Sequence, residues 1–124
     1  MESPPTRRRV LVVDNSPDLA QALGMIVQLD DALEYSGYAL TGAEALKRAL
    51  AGEIDVMVLD LGLGDCSGFD VLDRLRAAGS VVKVVMHTGH ALPELRERAR
   101  QKGAAAFVLK DGDFRSLLTA IREA

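Results

Sequence analysis

Long apolar runs are missing from this chain of 124 residues. The bilayer needs roughly 20 consecutive apolar residues for a helix to span it, and the first oily run, Val10 to Val13, is cut off at once by Asp14. The basic residues of the opening "MESPPTRRR" therefore have no apolar segment behind them that reads as a secretory leader, and the expectation is a cytoplasmic protein without a membrane role. Cysteine is nearly absent too: Cys66 is alone, so no internal disulfide is available, which fits a reducing compartment. Nor is there a basic excess. With 15 Lys and Arg against 18 Asp and Glu, a net charge of -3, the domain by itself has no electrostatic reason to seek nucleic acid. Repeats, linkers and low-complexity tracts are also lacking.

What is present is ordinary globular composition, 48% hydrophobic and 27% charged, at a length that buries one core without staples. One domain is expected over residues 9–124, preceded by a flexible N-terminus, 1–8, and the basic cluster Arg7, Arg8 and Arg9 at this junction is expected to solvate a frayed end. Short apolar runs alternate with longer amphipathic ones. The runs are Arg9 to Asp14, a more polar Ala32 to Gly37, Asp55 to Asp60, Lys83 to Thr88 and Ala105 to Lys110. Four of them, rich in Val, Leu or Ala without polar alternation, read as strands buried on both faces; the second is polar enough for a sheet edge. Between them, helix starts are marked by Ser16–Pro17, by Thr41 with Glu44 in a capping-box pattern, by Ser67, by Pro93 and by Asp113, and Gly52, Gly79 and Gly103 mark ends. Five βα units of this length predict an α/β, doubly wound three-layer sandwich around a parallel five-stranded sheet. The chain is too short for a closed barrel, which takes about 250 residues.

In such sheets, function sits outside the carboxyl ends of the strands. The four buried runs end there in polar groups: Asp14 with Asn15, Asp60, Thr88 and Lys110. A carboxylate pair, a hydroxyl and an ammonium at one rim are not explained by packing. They suit phosphoryl transfer. Asp14, Asn15 and Asp60 offer hard oxygens for Mg²⁺; Asp60 is the nucleophile candidate; Thr88 and Lys110 are placed to receive phosphoryl oxygens. Gly62 and Gly64 keep the following loop slim, so that the Gly62 carbonyl is free to turn to the metal.

"VLVVDN", "VMVLDLGLGDCSGFDVL", "VVMHTG" and "GAAAFVLKDG", in this order and spacing, resemble a CheY-like response-regulator receiver domain from about Val10 onward. The resemblance implies a flavodoxin-like (βα)5 sheet of order 2-1-3-4-5. It makes Asp60 the phospho-acceptor, Asp14 and Asn15 the metal pair, Thr88 the switch hydroxyl, Lys110 the phosphate-contacting lysine and Phe107 the aromatic that moves with the threonine. It also implies a histidine kinase, phosphotransfer protein or small phosphodonor as the source, and an output partner on the face of the fourth helix, fifth strand and fifth helix; a phosphorylation-dependent dimer is compatible with it. On this reading the chain assists only its own phosphorylation and dephosphorylation, and is not an enzyme acting on outside substrates.

Three departures from the family pattern stand out. Asn15 replaces a second acid and lowers the charge available to the metal; Asp111 replaces a proline after Lys110; Gly64 replaces another. Asn15 keeps open the alternative of a pseudo-receiver that docks partners without phosphorylation. A phosphatase of this fold would want a second acid at Gly62, and a nucleotide or flavin carrier would want a phosphate loop after the first strand, where "DNSPDL" stands. A zinc site from His87, His90 and Cys66 lacks a fourth ligand and CxxC spacing.

Overall fold

The computed structural model describes residues 7–90 and 92–124. Five strand–helix units follow one another: β1 Arg8–Val13, α1 Pro17–Gln28, β2 Leu33–Ala39, α2 Gly42–Leu50, β3 Val56–Leu59, α3 Gly68–Ala77, β4 Lys83–Thr88, α4 Pro93–Gln101, β5 Ala106–Leu109 and α5 Phe114–Glu123. All pairings are parallel and the sheet runs β2-β1-β3-β4-β5, the doubly wound flavodoxin-like order expected from the resemblance. No helix among the described residues is long and apolar enough to cross a membrane.

Register explains how the sheet serves both cores. Val12, Val58, Val85 and Ala106 lie side by side and pack with Leu23, Val27, Leu117 and Ile121 of α1 and α5. The next row, Val13, Leu59, Met86 and Phe107, faces the opposite core with Leu46, Leu72 and Leu75 of α2 and α3. Side chains alternate across a sheet with period two, so the row after that returns to the α1/α5 face. It is Asp14, Asp60, His87 and Val108, with His87 paired to Val108.

Helix starts follow the sequence signals with two differences. Ser16, Thr41, Ser67 and Asp113 each accept an N–H from their own first turn. Thr41 caps α2 without a return bond from Glu44, whereas Ser67 and Asp70 form the reciprocal capping box on α3. Shorter than Glu, Asp70 still reaches the Ser67 N–H at 3.1 Å. α4 begins on Pro93 with no side-chain cap and buries only Ala99.

Three expectations need correction. β5 is not buried on both faces; all four of its residues are half-buried, because the strand order leaves it at the sheet margin. β2 extends two residues past Gly37, which adopts φ +100° where the pairing with β1 shifts register between Val10 and Val12. Finally, Arg8 and Arg9 belong to β1 rather than to a solvated end: Arg8 donates to the Ala124 carbonyl, and Arg9 grips Asp55 through its backbone N–H at 2.8 Å and its guanidinium at 3.1 Å. That grip raises the Arg9 pKa and lowers that of Asp55. Arg7 is exposed. The rest of the terminus expected to be flexible, residues 1–6, lies outside the described residues.

His87 is the one polar side chain of that third row whose buried atom lacks a partner: the residue is 4% exposed and Nδ1 makes no hydrogen bond. Desolvation by burial, with the positive charge of Lys110, lowers its pKa from 6.5, against the opposing carboxylates Asp14, Asp60 and Asp111. A group whose pKa falls on folding takes up a proton more readily when unfolded. The stability that rests on a neutral His87 is therefore complete above about pH 6.5 and is lost as pH falls through the lowered folded-state value. His87→Leu should thus be stabilising by about 1 kcal/mol at pH 7.5. Thermal melts should show the gap over the wild type widening at pH 5.5.

Candidate functional site

β1, β3 and β5 end one residue before Asp14, Asp60 and Lys110, so each side chain emerges from the end of a sheet strand rather than from a free loop. The Asp14 N–H is tied to the Ala39 carbonyl, that of Asp60 to Val13 and that of Lys110 to Thr88. These backbone bonds set the rim, and the charged groups meet above it. Lys110 Nζ lies 2.7 Å from Asp14 Oδ2 and 3.1 Å from Asp60 Oδ2. The other oxygen of Asp14 accepts the Ser16 N–H at 2.9 Å. Both oxygens of this carboxylate are thus engaged, which offsets its near-complete burial.

Burial would pull the Lys110 pKa down, but the hydrogen bond to Asp14 and the charge of Asp60 outweigh it, and the net shift is upward. Lys110 is therefore a fixed cation at neutral pH. Two carboxylates and one ammonium leave a single negative charge, and Asn15, exposed beside Asp14, adds none. The Asp60 side chain keeps 12% of its surface open, so a reagent can reach it from solvent.

Thr88 is fully buried, and its Oγ1 accepts the His90 N–H at 3.2 Å. An accepted bond leaves the hydroxyl proton free to be donated elsewhere. By alternation Thr88, beside Leu109 in register, shares the α2/α3 face with Phe107. Phe107 is half-buried against that core, and the Arg96 guanidinium of α4 lies 5.3 Å from its ring centroid, within cation–π range. A groove of about 200 Å³ beside this ring is lined by Arg96, Ala99, Arg100, Ala104 and Phe107 among others.

The donor set suits a hard dication. Lys110, lodged between Asp14 and Asp60, marks a place built for positive charge. Among the described residues no three His, Cys, Asp or Glu side chains converge, and the charged oxygen donors at this rim are the two carboxylates, a number that Mg²⁺ accepts when it keeps several waters. Gly62 and Gly64 are not required by packing: a Cβ at either would meet nothing within 4 Å. Packing does require a glycine at the end of this loop, at Gly68, where a Cβ would sit 2.5 Å from the Asp60 carbonyl oxygen. Its N–H bonds the Leu61 carbonyl at 2.7 Å. Gly68 lets α3 start directly beside the Asp60 backbone. Sequence reading used it only as the first residue of a helix, since its close neighbour lies eight positions back. After Lys110 the chain passes Asp111 without a cis bond, none being present among the described residues, and turns through Gly112 at φ +84°.

The family model for the response regulator receiver domain matches residues 10–122. The chain is 36% identical over 115 residues to the uncharacterized transcriptional regulatory protein YvfU of Bacillus subtilis (strain 168), covering 93% of this chain and 58% of that protein. To the nitrate/nitrite response regulator protein NarP of Escherichia coli (strain K12) it is 32% identical over 114 residues, covering 92% and 53%. It thus spans a little over half the length of these relatives. Among solved structures, the signal receiver domain of the putative response regulator NarL from Mycobacterium tuberculosis is similar with a TM-score of 0.90 at 28% identity, covering 96% of both chains. The signal receiver domain of a putative Luxo repressor protein from Vibrio parahaemolyticus gives 0.86 at 31% identity, covering 94% of this chain and 88% of that one. A match that runs through all five strand–helix units, from Val10 to Arg122, leaves one assignment: the chain belongs to the family of response regulator receiver domains.

Proposed function

We propose that this domain is a phosphorylation-dependent signalling switch in a two-component phosphorelay, in the cytoplasm, with Asp60 as the phospho-acceptor. The observation that carries the reading is the Lys110 ammonium held at once by Asp14 and Asp60. It keeps a cation where the charge of a phosphoryl group on Asp60 would appear. Asp60 supplies the carboxylate oxygen that attacks phosphorus. As that bond forms, the bond from phosphorus to the donor breaks, its imidazole nitrogen in a phosphohistidine or its acyl oxygen in an acyl phosphate. With acetyl phosphate the leaving group is acetate and needs no proton.

Asp14, Asn15, Asp60 and the Gly62 carbonyl are the groups that would hold Mg²⁺, which when bound offsets the negative charge of the phosphoryl oxygens. Lys110 contributes an ammonium to one of those oxygens and Thr88 its free hydroxyl proton to another. Moving Thr88 toward Asp60 vacates volume on the α2/α3 face, and Phe107, diagonal to it on the neighbouring strand, is the ring able to follow. Its shift would break the contact with Arg96 and so disturb α4, which buries one residue only. The output surface is then α4, β5 and α5, where a downstream protein or domain binds. The kinase or phosphotransfer protein acts on the Asp60 rim.

Asn15 favours the second reading, a pseudo-receiver that binds partners without phosphorylation. Incubation with acetyl phosphate and Mg²⁺ separates the two. Intact mass should show one added phosphoryl unit on the wild type and none on Asp60→Asn; an unlabelled wild type would establish the pseudo-receiver instead.

Restoring charge at the metal pair should tighten it. Asn15→Asp is expected to lower the Mg²⁺ dissociation constant about fivefold or more, equivalent to about 1 kcal/mol. Magnesium titration of both proteins by calorimetry checks this, and equal affinities would remove Asn15 from the ligand set.

A further inference from the structure

The loop from Asp60 to Ser67 carries the acceptor at one end and the cap of α3 at the other. It is held internally by a bridge between Gly62 and Ser67 and by the Leu63 N–H on the Cys66 carbonyl at 3.2 Å. Its outer turn is fastened to a different element. Asp65 Oδ1 accepts the Gly42 N–H at 2.9 Å and Oδ2 the Ala43 N–H at 3.1 Å, two of the four donors that an α-helix leaves unpaired at its start. The third donor of α2, the Glu44 N–H, goes to Thr41 Oγ1 at 3.2 Å. A carboxylate at a helix N-terminus is favoured by the helix dipole as well as by these bonds, and the same two bonds lower the Asp65 pKa.

The neighbouring residue adds a second tie. Cys66 Sγ packs so closely on α2 that a Cβ at Gly42 would lie 2.3 Å from it and 3.1 Å from Val71. Gly42 is thus the only residue that lets loop and helix approach this far. Thr41 pairs only the Glu44 N–H of α2, so Asp65 also serves the buried start of that helix, whereas α3 has its own capping box and needs none of these contacts. What they add is a fixed place for the segment that contains Gly62.

We propose that Asp65 is a positioning residue for the metal site: by clamping the β3–α3 loop to the N-terminus of α2, it holds the Gly62 carbonyl ready for Mg²⁺ and ties metal binding to α2. The inference rests on the metal site proposed above. Without the clamp, the loop must be ordered at the moment of binding, and that entropic cost is drawn from affinity. The effect should therefore fall on metal affinity rather than on the chemistry once metal is bound.

Calorimetric titration with MgCl₂ of the wild type, Asp65→Ala, Asp65→Asn, Thr41→Ala and Asp60→Asn tests it, alongside labelling by acetyl phosphate and thermal melts. Asp65→Ala should raise the Mg²⁺ dissociation constant about five- to tenfold, while labelling at saturating Mg²⁺ falls less than twofold. Asp65→Asn should recover part of the affinity, since its one carbonyl oxygen replaces one of the two acceptors. Thr41→Ala removes a cap from the same end of α2 without touching the loop, so it should lower the melting temperature and leave the metal affinity unchanged. Equal affinities for wild type and Asp65→Ala, or an equal loss in Thr41→Ala, would overturn the clamp while leaving the site intact. A wild type that binds no Mg²⁺, or an Asp60→Asn that binds it equally well, would overturn the site and the clamp with it.

Discussion

One ammonium between two carboxylates is the constraint around which the functional end of this domain is arranged. Asp14 is 2% and Asp60 9% exposed, and carboxylates removed from water to that degree must be paired or neutralised. Lys110 does the pairing from a third strand, 96 residues along the chain from Asp14. The sheet makes this meeting possible. Only when β3 lies between β1 and the β4–β5 pair do the strand ends bring these groups into reach. Removing either partner of such a pair typically costs about 3–5 kcal/mol, because the remaining charge is stranded. Stability and the proposed phosphoryl transfer therefore draw on the same three side chains, and a ligand that takes Lys110 away from Asp14 must supply positive charge in its place.

Much of this was legible in the sequence for a local reason. Buried parallel strands must be apolar throughout, so the polar residue that ends each run stands out against it, and Asp14, Asp60, Thr88 and Lys110 were found in that way. Helix caps are equally local: Ser16, Thr41, Ser67 and Asp113 sit within three residues of the N–H groups they serve. What escaped was decided by groups far apart. The half-exposed state of β5 follows from strand order, which no property of "AAFVLK" encodes. Arg9 looks like any residue of a basic terminus until Asp55, 46 positions later, is beside it. Asp65 is the plainest case, since its partners at Gly42 and Ala43 precede it by 22 or 23 residues.

The two sides of the sheet end up with different tasks. On the α1/α5 side the last row is polar: the carboxylates of Asp14 and Asp60 and the neutral imidazole of His87 stand above a well-filled valine and leucine core. An unpaired buried imidazole nitrogen here is tolerated at some cost, and the cost falls beside Asp60. On the other side, Thr88 and Phe107 lie over a core that is closed by α2 and α3 but only thinly covered by α4. Charge is paired at the end of one face, and a buried hydroxyl and a half-buried ring stand on the other.

That division has a physical basis in how the helices are held. α2 and α3 bury Leu46, Leu72 and Leu75, and Asp65 and Cys66 hold the β3–α3 loop against the start of α2. α4 offers Pro-Glu-Leu-Arg-Glu-Arg-Ala-Arg-Gln, a mostly charged sequence. Beyond Ala99 and the half-buried Leu95, its ties to the rest are surface contacts such as its C-cap Lys102 with Asp73 at 2.8 Å and the ring contacts of Arg96 with Phe107 and Arg98 with Phe69. Exposed ion pairs and cation–π contacts are each worth about 1 kcal/mol or less, whereas burying a single leucine is worth about 1.5–3 kcal/mol. A displacement at Thr88 passed to both sides would therefore leave α2 and α3 in place and move α4 first.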